Sequence, residues 1–356
     1  MAPRITSDLL LVGSLPVDST EAAFIAGAEH FGDLVFALPD GETGARANWV
    51  SYERDGIIRQ NPDVVVVQET TSPTGFPRHA YETPRYAVRE NVDIVRWDSW
   101  PRIDDAIASY EIFARLRDEG TIPAHLRFQV GLPFPASALN AFKVDFARDY
   151  PKAAAGYEEL VIRELGRLFE TVPPQDLAIQ WDAAYETADI ESVLAWTDGD
   201  AWERFAGPVT RLTRQIPNEV LVGYHLCYGT FPEWPMYEAQ DLSALVRMAN
   251  FAVAQSGRAV DWLHMAGPRY LRSEDERFFA PLAELDAPDT RTFLGIILPL
   301  DGLPGAEMRA ATAAKYLDSF GVAMYCGFGR QKGEEPAKTL ADHEATVRGL
   351  VEAARP

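Results

Sequence analysis

Eight short apolar segments, rich in β-branched and aromatic residues, recur along this chain. Most of them are followed by Gly, Pro or Asp and then by a stretch with helical periodicity. The segments are 9–16, 34–40, 127–135, 177–182, 220–227, 260–267, 293–302 and 322–329. Strands that are apolar on both faces and alternate with helices are typical of parallel sheets, so eight such units predict an α/β fold, a closed (β/α)8 or TIM barrel.

One long insertion, residues 41–126, separates the second and third predicted barrel strands. It is expected to hold a strand pair, 64–70 and 92–97, and a helix around 104–119. The insertion could be a flap over the barrel mouth or a decoration at its edge. No Gly/Ser-rich or charged linker interrupts the series, so residues 1–356 are predicted to form a single barrel domain.

The charge of the chain restricts its partners. A formal net charge of −20 and a pI near 4.7 argue against binding to nucleic acid or anionic membranes, because an acidic surface repels both. Two cysteines cannot form the disulfide framework of a small secreted domain, and no apolar stretch approaches the roughly 18 to 20 residues of a membrane span. The sequence predicts a cytoplasmic protein with a small-molecule substrate, and it leaves the oligomeric state open.

Polar side chains follow several predicted strands at the point where each strand ends. In TIM barrels these carboxyl ends carry the active site, so the residues are expected to meet at one mouth of the barrel. They are Ser14, Asp40, Glu42, Asp182, His225, Cys227, His264, Cys326 and Arg330.

Four of these residues suggest a zinc site. His225 and Cys227 are two positions apart, so on a strand they face the same side. Cys326 would supply a third ligand and His264 is the natural fourth, since zinc takes thiolate and imidazole ligands in tetrahedral geometry. The simpler alternative is that the histidine and cysteine occur at this spacing by chance and that the histidine is a hydrogen-bonded core residue.

Several short motifs resemble the catalytic barrel of cobalamin-independent methionine synthase, within the group that includes uroporphyrinogen decarboxylase. The resemblance runs from Val12 to Arg330 and rests on GSLP (13–16), QWD (180–182), HLCYG (225–229) and CGFGR (326–330). It implies that His225, Cys227 and Cys326 bind zinc, with His264 at the position where the family carries glutamate. A histidine there would make the zinc complex neutral; alternatively, water or an acidic side chain takes that place.

The resemblance also implies roles in substrate binding. Ser14 and its backbone would hold a carboxylate, and Asp182 would pair with an ammonium group or act as general base. The alternative for Asp182 is a helix cap. The family's acidic residue after this aspartate is replaced here by Ala183.

The segment 39–49, PDGETGARANW, is predicted to form a loop at the barrel mouth. Asp40 and Glu42 are candidate catalytic acids or bases, and Arg46 and Trp49 are candidates for substrate binding. A salt-bridged turn would use the same residues. Tyr228 and Arg330 complete the predicted substrate-binding set, and the aromatic residues near strand ends would suit a flat, partly apolar substrate.

Three functions are compatible with these patterns. The first is a zinc-dependent methyl or alkyl transferase acting on a thiol or related nucleophile. The second is a zinc-dependent lyase or decarboxylase-like enzyme acting on a small oxygenated, perhaps aromatic, substrate, and the third is a non-catalytic binding barrel. The chain is about half the size of the two-barrel methionine synthases and strongly acidic, so a polyglutamylated folate is not the expected methyl donor.

Overall fold

The computed structural model describes residues 3–71, 82–229, 234–268, 275–330 and 335–354. Each of the eight predicted barrel segments contains or overlaps a strand of one parallel sheet, which confirms the predicted TIM barrel. The strands are β1 (Leu9–Leu10), β2 (Ala37–Pro39), β3 (Val64–Gln68), β4 (Arg85–Val88), β5 (Arg127–Pro133), β6 (Leu177–Ala183), β7 (Leu221–Leu226), β8 (Trp262–Ala266), β9 (Arg291–Ile297) and β10 (Gly321–Met324).

The barrel sheet has the order β1-β10-β9-β8-β7-β6-β5-β2. Its two end strands approach each other at an isolated parallel bridge between Ser14 and Gly41. The backbone N–H of Leu15 donates to the carbonyl of Gly41 at 3.0 Å. The barrel therefore closes just beyond the short strand β1, at the end where the site residues were predicted.

Helices surround the sheet on its outer face. They are α1 (Thr20–Phe31), α2 (Trp49–Glu53), α3 (Pro101–Asp118), α4 (Pro135–Ala138), α5 (Phe146–Thr171), α6 (Tyr185–Ile190), α7 (Ala201–Leu212), α8 (Ser243–Gln255), α9 (Glu276–Phe279), α10 (Gly302–Ala313) and α11 (Pro336–Ala353). Side-chain caps begin several of them: Ser19 accepts from Ala22 N, and Asp200 accepts from the backbone N–H groups of Trp202 and Glu203. In the described ranges, no helix has the length and apolar character needed to cross a membrane.

The inside of the barrel is filled by side chains from the strands. Trp262, Phe36 and Phe293 lie there, fully or almost fully buried. Trp262 fits because Gly223 stands beside it: a Cβ atom at that position would lie 2.0 Å from the indole ring. The inside of the barrel is thus a packed core, and a ligand would have to bind outside it, for example at its mouth.

The insertion differs from the prediction in its second strand. β3 pairs antiparallel with β4, at Arg85–Val88, and not with residues 92–97. The prediction failed because backbone groups of residues 92–97 form hydrogen bonds with α5 instead of with β3. Val95 N donates to Lys152 O at 3.1 Å, and Lys152 Nζ donates to Val92 O at 2.6 Å. The predicted helix is present as α3, beginning at Pro101.

Candidate functional site

A small cavity of about 60 Å³ lies at the carboxyl ends of the barrel strands. It collects residues from β6, β7, the segments after β1, β2 and β10, and the insertion. Its lining comprises Val12, Gly13, Ser14, Glu42, Trp49, Ser137, Asp182, Ala184, Tyr185, His225, Cys227, Gly229, Cys326 and Gly327. The predicted residues Ser14, Glu42, Trp49, Asp182, His225, Cys227 and Cys326 are therefore brought together.

The two cysteines meet at this cavity without forming a disulfide. Hydrogen bonding to Cys326, followed by burial, raises the pKa of Cys227 well above its ordinary value. Burial acts to lower the pKa of His225, but the hydrogen bond and negative charge of Cys326, with Asp182 and Glu42, raise it overall. Cys326 is thus within interaction range of two of the other predicted ligands, His225 and Cys227.

Hydrogen bonds define the tautomer of His225. His264 Nε2 lies 3.0 Å from the carbonyl oxygen of Met324, so this nitrogen carries the proton and donates. Burial lowers the pKa of His264 well below its usual value, which keeps that ring neutral and leaves its Nδ1 as an acceptor. His225 Nδ1, 2.7 Å away, must then donate to it. In the neutral form of His225 the free lone pair is then on Nε2, which is buried and interacts with Cys326.

The donor set fits zinc in its chemistry. An unprotonated imidazole nitrogen beside two cysteine sulfurs is a typical combination of zinc ligands. Among the described residues, however, no three His, Cys, Asp or Glu side chains are already arranged as a metal site. Zinc therefore remains a prediction.

His264 has a different position from the other predicted ligands. Both of its ring nitrogens already have protein partners, and it is absent from the cavity lining. To bind a metal, the ring would have to give up its contact with His225 or with Met324. Of the two alternatives left open by the sequence, the hydrogen bonds favour the one in which His264 is not a ligand. It instead orients the ring of His225 through the bond between their Nδ1 atoms, as hydrogen-bond partners of metal-binding histidines commonly do.

Two carboxylates flank the cavity on either side of Gly131. A Cβ atom at Gly131 would lie 3.6 Å from Asp182 Oδ2 and 3.7 Å from Glu42 Oε1. Gln180 Nε2 donates to Asp182 Oδ1 at 2.9 Å. Burial raises the pKa of Asp182 to about 6, with the charge of His225 and the bond from Gln180 acting in the opposite direction. Asp182 is not a helix cap, since the hydroxyl of Ser137 accepts from the first N–H groups of α6 instead.

Ser14 joins two of the strand ends around the cavity. Its hydroxyl accepts from Gly329 N at 2.9 Å, and its carbonyl accepts from Phe328 N at the same distance. The side chain thus fixes the segment after Cys326, which carries one predicted zinc ligand. A role in binding a carboxylate is not tested by this arrangement.

Asp40 and Arg46 do not line the cavity that contains His225. They form an ion pair with each other, Ser109 Oγ donates to Asp40 at 2.8 Å, and Arg46 donates to Thr20 Oγ1 at 3.1 Å. The salt-bridged turn, weighed as the alternative, is the arrangement found. It places Glu42 in the left-handed region, with φ of 48°, so that this side chain alone of the three enters the cavity.

The remaining predicted substrate-binding residues divide. Trp49 lines the cavity, so the insertion reaches the barrel mouth. Tyr228 is buried against Tyr237, with ring centroids 5.7 Å apart, and is not part of the lining. The side chain of Arg330 lies outside the described part of the structure.

Sequence reasoning missed Arg102, which lies in a small neighbouring cavity that also contains Glu42. Arg102 is buried, forms an ion pair with Glu53, and stacks its guanidinium 4.9 Å from the centroid of the Trp49 ring. No motif surrounds it in SWPRIDD, and only the fold of the insertion brings it to the barrel mouth.

The fold and the position of the cavity define the class: a TIM barrel with a site built from the carboxyl ends of its strands. No protein-family model matches the chain, and no curated protein is significantly similar to it in sequence. Solved structures of similar fold include a B12-independent methionine synthase from Shewanella sp. W3-18-1 in complex with selenomethionine. It is 14% identical, with a TM-score of 0.55, and the match covers 98% of this chain and 100% of that one.

A second structure is that of a Listeria monocytogenes protein provisionally assigned as a vitamin-B12-independent methionine synthase. It is 13% identical, with a TM-score of 0.58, covering 98% of this chain and 99% of that one. The fold of this protein is therefore that of the cobalamin-independent methionine synthase-like barrels, which confirms the resemblance in fold.

Proposed function

We propose that this protein is a zinc-dependent transferase that moves a methyl or other alkyl group to a thiol. The observation that carries the proposal is the buried Nε2 of His225, the atom that holds the free lone pair in the neutral ring, at a cavity that His225 shares with Cys227 and Cys326. The two similar structures support the methyl-transfer chemistry, since both are described as B12-independent methionine synthases, one of them provisionally.

His225, Cys227 and Cys326 would hold the zinc ion. Three protein ligands leave one position for a substrate. When bound there, zinc supplies Lewis acidity that lowers the pKa of a substrate thiol, so that the thiol is ionised at neutral pH. Because His264 is engaged with His225 and Met324, it would stabilise the ring orientation of His225 rather than fill that position.

The carboxylates of Asp182 and Glu42 give the chain two groups that can take the proton of the incoming thiol. The sulfur would then form a bond to the alkyl carbon, while the bond from that carbon to the donor breaks and the donor keeps the electron pair. The selenomethionine in the Shewanella complex resembles the product of such a transfer, because it is an amino acid with an alkyl group on its selenium atom. In this chain, Asp182 would also be positioned to bind an ammonium group.

Metal content and the response to a thiol test the proposal. We expect about one zinc per chain by mass spectrometry, and at least about a tenfold loss of occupancy in Cys326→Ser, because the remaining ligands are too few. The exposed His125 provides a control, as His125→Ala should keep its zinc. Homocysteine should add one sulfur neighbour in the zinc X-ray absorption spectrum of the wild type.

Two results would overturn this function. One is a metal-free protein that takes up no zinc when zinc is supplied. The other is a zinc spectrum unaffected by homocysteine, with no alkylated homocysteine formed from a panel of methyl donors.

A further inference from the structure

Three basic side chains, on the insertion and on the loop between α4 and α5, are close enough for their charges to act on one another. They are Arg54, Arg85 and Lys143. The formal charge of the whole chain is −20, so a group of three neighbouring cations is unusual in it.

Lys143 has no carboxylate partner within the described residues. Its Nζ lies 4.9 Å from the centroid of the Trp196 ring, which is a cation–π contact. Burial, together with the positive charges of Arg85 and Arg54, lowers the pKa of Lys143 to about 8. The surroundings therefore disfavour this positive charge, and the described residues place no carboxylate against it to offset that cost.

Arg85 has a similar environment at the start of β4. Its Nε is buried and has no hydrogen-bond partner among the described residues. The next residue connects the two cations, because Tyr86 N donates to the carbonyl of Ala141 at 3.2 Å, two residues before Lys143. Among the residues that the structure describes, the side chain of Arg54 pairs with its neighbour Asp55, a carboxylate whose side chain is 52% exposed.

Aromatic contacts connect these cations to the cavity. Tyr185 lines the cavity, and its ring centroid lies 6.4 Å from that of Trp196, the ring beneath Lys143. The positive charge of Arg54 also acts on Tyr185. Tyr185 therefore borders the cavity on one side and contacts the ring on which Lys143 lies on the other.

We propose that Lys143 and Arg85, with Arg54 beside them, bind the anionic group of a substrate, a carboxylate or a phosphate, whose reacting end lies in the cavity. Two partly buried cations that form no ion pair within the described part of the chain favour an anion, since a charge-assisted hydrogen bond offsets the cost of their desolvation. The inference rests on the proposed function only for the placement of the reacting end. Anion binding itself requires neither zinc nor turnover.

Calorimetric titration of the full-length protein with two probes, glutarate and inorganic phosphate, tests this subsite. The wild type should bind at least one of them, and the preferred probe identifies the anion as carboxylate or phosphate. Lys143→Met and Arg85→Met should each weaken that binding by about tenfold or more, because each removes a charged donor. Lys143→Arg, which keeps the charge, should retain most of the affinity.

Lys338→Met is the matched control, since it removes the same charge from the exposed surface of α11. It should leave the affinity unchanged, and all variants should keep the zinc content of the wild type. The subsite is disproved if the wild type binds neither probe at millimolar concentration, or if Lys143→Met and Arg85→Met bind as tightly as the control. Loss of zinc binding with anion binding intact would overturn the proposed function alone.

Discussion

At the scale of single residues, the direction of two hydrogen bonds decides what His225 can do. The carbonyl of Met324 can only accept, so it fixes the proton of His264 on Nε2, and His264 in turn fixes the proton of His225 on Nδ1. The nitrogen that faces the cysteines is then the one with a free lone pair. The buried carbonyl of Met324 thus determines, through His264, which nitrogen of His225 is available to the cavity.

Comparison of two leucine variants tests this division of roles. His225→Leu should abolish stoichiometric zinc binding, because it removes a ligand. His264→Leu should retain zinc with an affinity about 10 to 100 times lower, because it removes only the partner that orients the ring. Zinc affinity is measured by competition with a chelator. Equal loss of zinc in the two variants would instead establish His264 as a ligand.

Glu186 provides a pH-dependent prediction away from the predicted metal ligands. It is fully buried, and Ser137 donates to its carboxylate from both the backbone N–H, at 3.0 Å, and the hydroxyl, at 2.6 Å. Burial raises its pKa from 4.5 to about 7, because the hydrogen bonds only partly offset the desolvation. The folded state therefore holds this proton more tightly than the unfolded state does.

The contribution of Glu186 to stability is present below about pH 4.5 and is lost as the pH rises through about 7. Relative to Glu186→Gln, the wild type should lose about 2 to 3 kcal/mol of unfolding free energy between pH 5 and pH 8. Urea unfolding at the two pH values measures this difference. Glu159→Gln, on the exposed face of α5, should lose as much unfolding free energy between pH 5 and pH 8 as the wild type does. An equal loss in Glu186→Gln would contradict the assignment.

At the scale of elements, α5 explains how the insertion is attached to the barrel. Gly156 lets the backbone of residues 92–97 approach the helix so closely that a Cβ atom would lie 1.8 Å from Val95 O. That approach allows the bonds between Lys152 and Val92 and Val95. The insertion is thereby held against the barrel, with Trp49 at its mouth.

Two glycines of α5 allow a matched test of this contact. Gly156→Ala should destabilise the protein by about 2 kcal/mol or more, because the backbone must move to accommodate the methyl group. Gly166→Ala, where nothing lies within 4 Å of the added Cβ, should stabilise it by about 0.5 to 1 kcal/mol through helix propensity. Thermal or urea unfolding measures both, and similar changes in the two variants would contradict the proposed contact.

At the scale of the whole molecule, stabilising interactions lie at the end of the barrel opposite to the cavity. Arg4 Nη2 donates to Asp261 Oδ2 at 2.6 Å, joining the N-terminal segment to the start of β8. The same buried carboxylate accepts from Val222 N at 2.8 Å. In TIM barrels the active site usually lies at the carboxyl ends of the strands, and interactions that stabilise the fold lie at the opposite end.

Arg4→Met should therefore reduce stability without affecting the site. Loss of a charged donor to the buried Asp261 should cost about 1.5 to 3 kcal/mol, measured by urea unfolding. Zinc content and anion affinity should not change in the folded protein. Arg277→Met is the control, since that side chain is 94% exposed and should contribute little. A variant of Arg4 as stable as this control would show that the pair is unimportant.

The sequence by itself determined the barrel and the strand ends at which polar residues collect. Segments apolar on both faces have to be covered on both faces, and alternation with helices then leaves few topologies. Because the carboxyl ends of parallel strands converge, the meeting of His225, Cys227, Cys326 and Asp182 at one cavity followed from their positions along the chain.

Only the tertiary structure decided which atoms face one another there. Sequence position places His264 at a strand end, but the carbonyl of Met324, 60 residues away, determines the direction of its ring. Likewise, 92–97 has the pattern of a strand, yet it bonds to α5 because Gly156 leaves room for it. Arg102 and Lys143 carry no local signal in the sequence, since their surroundings consist of residues distant along the chain. Only the fold pairs Arg102 with Glu53 and places Lys143 against the ring of Trp196.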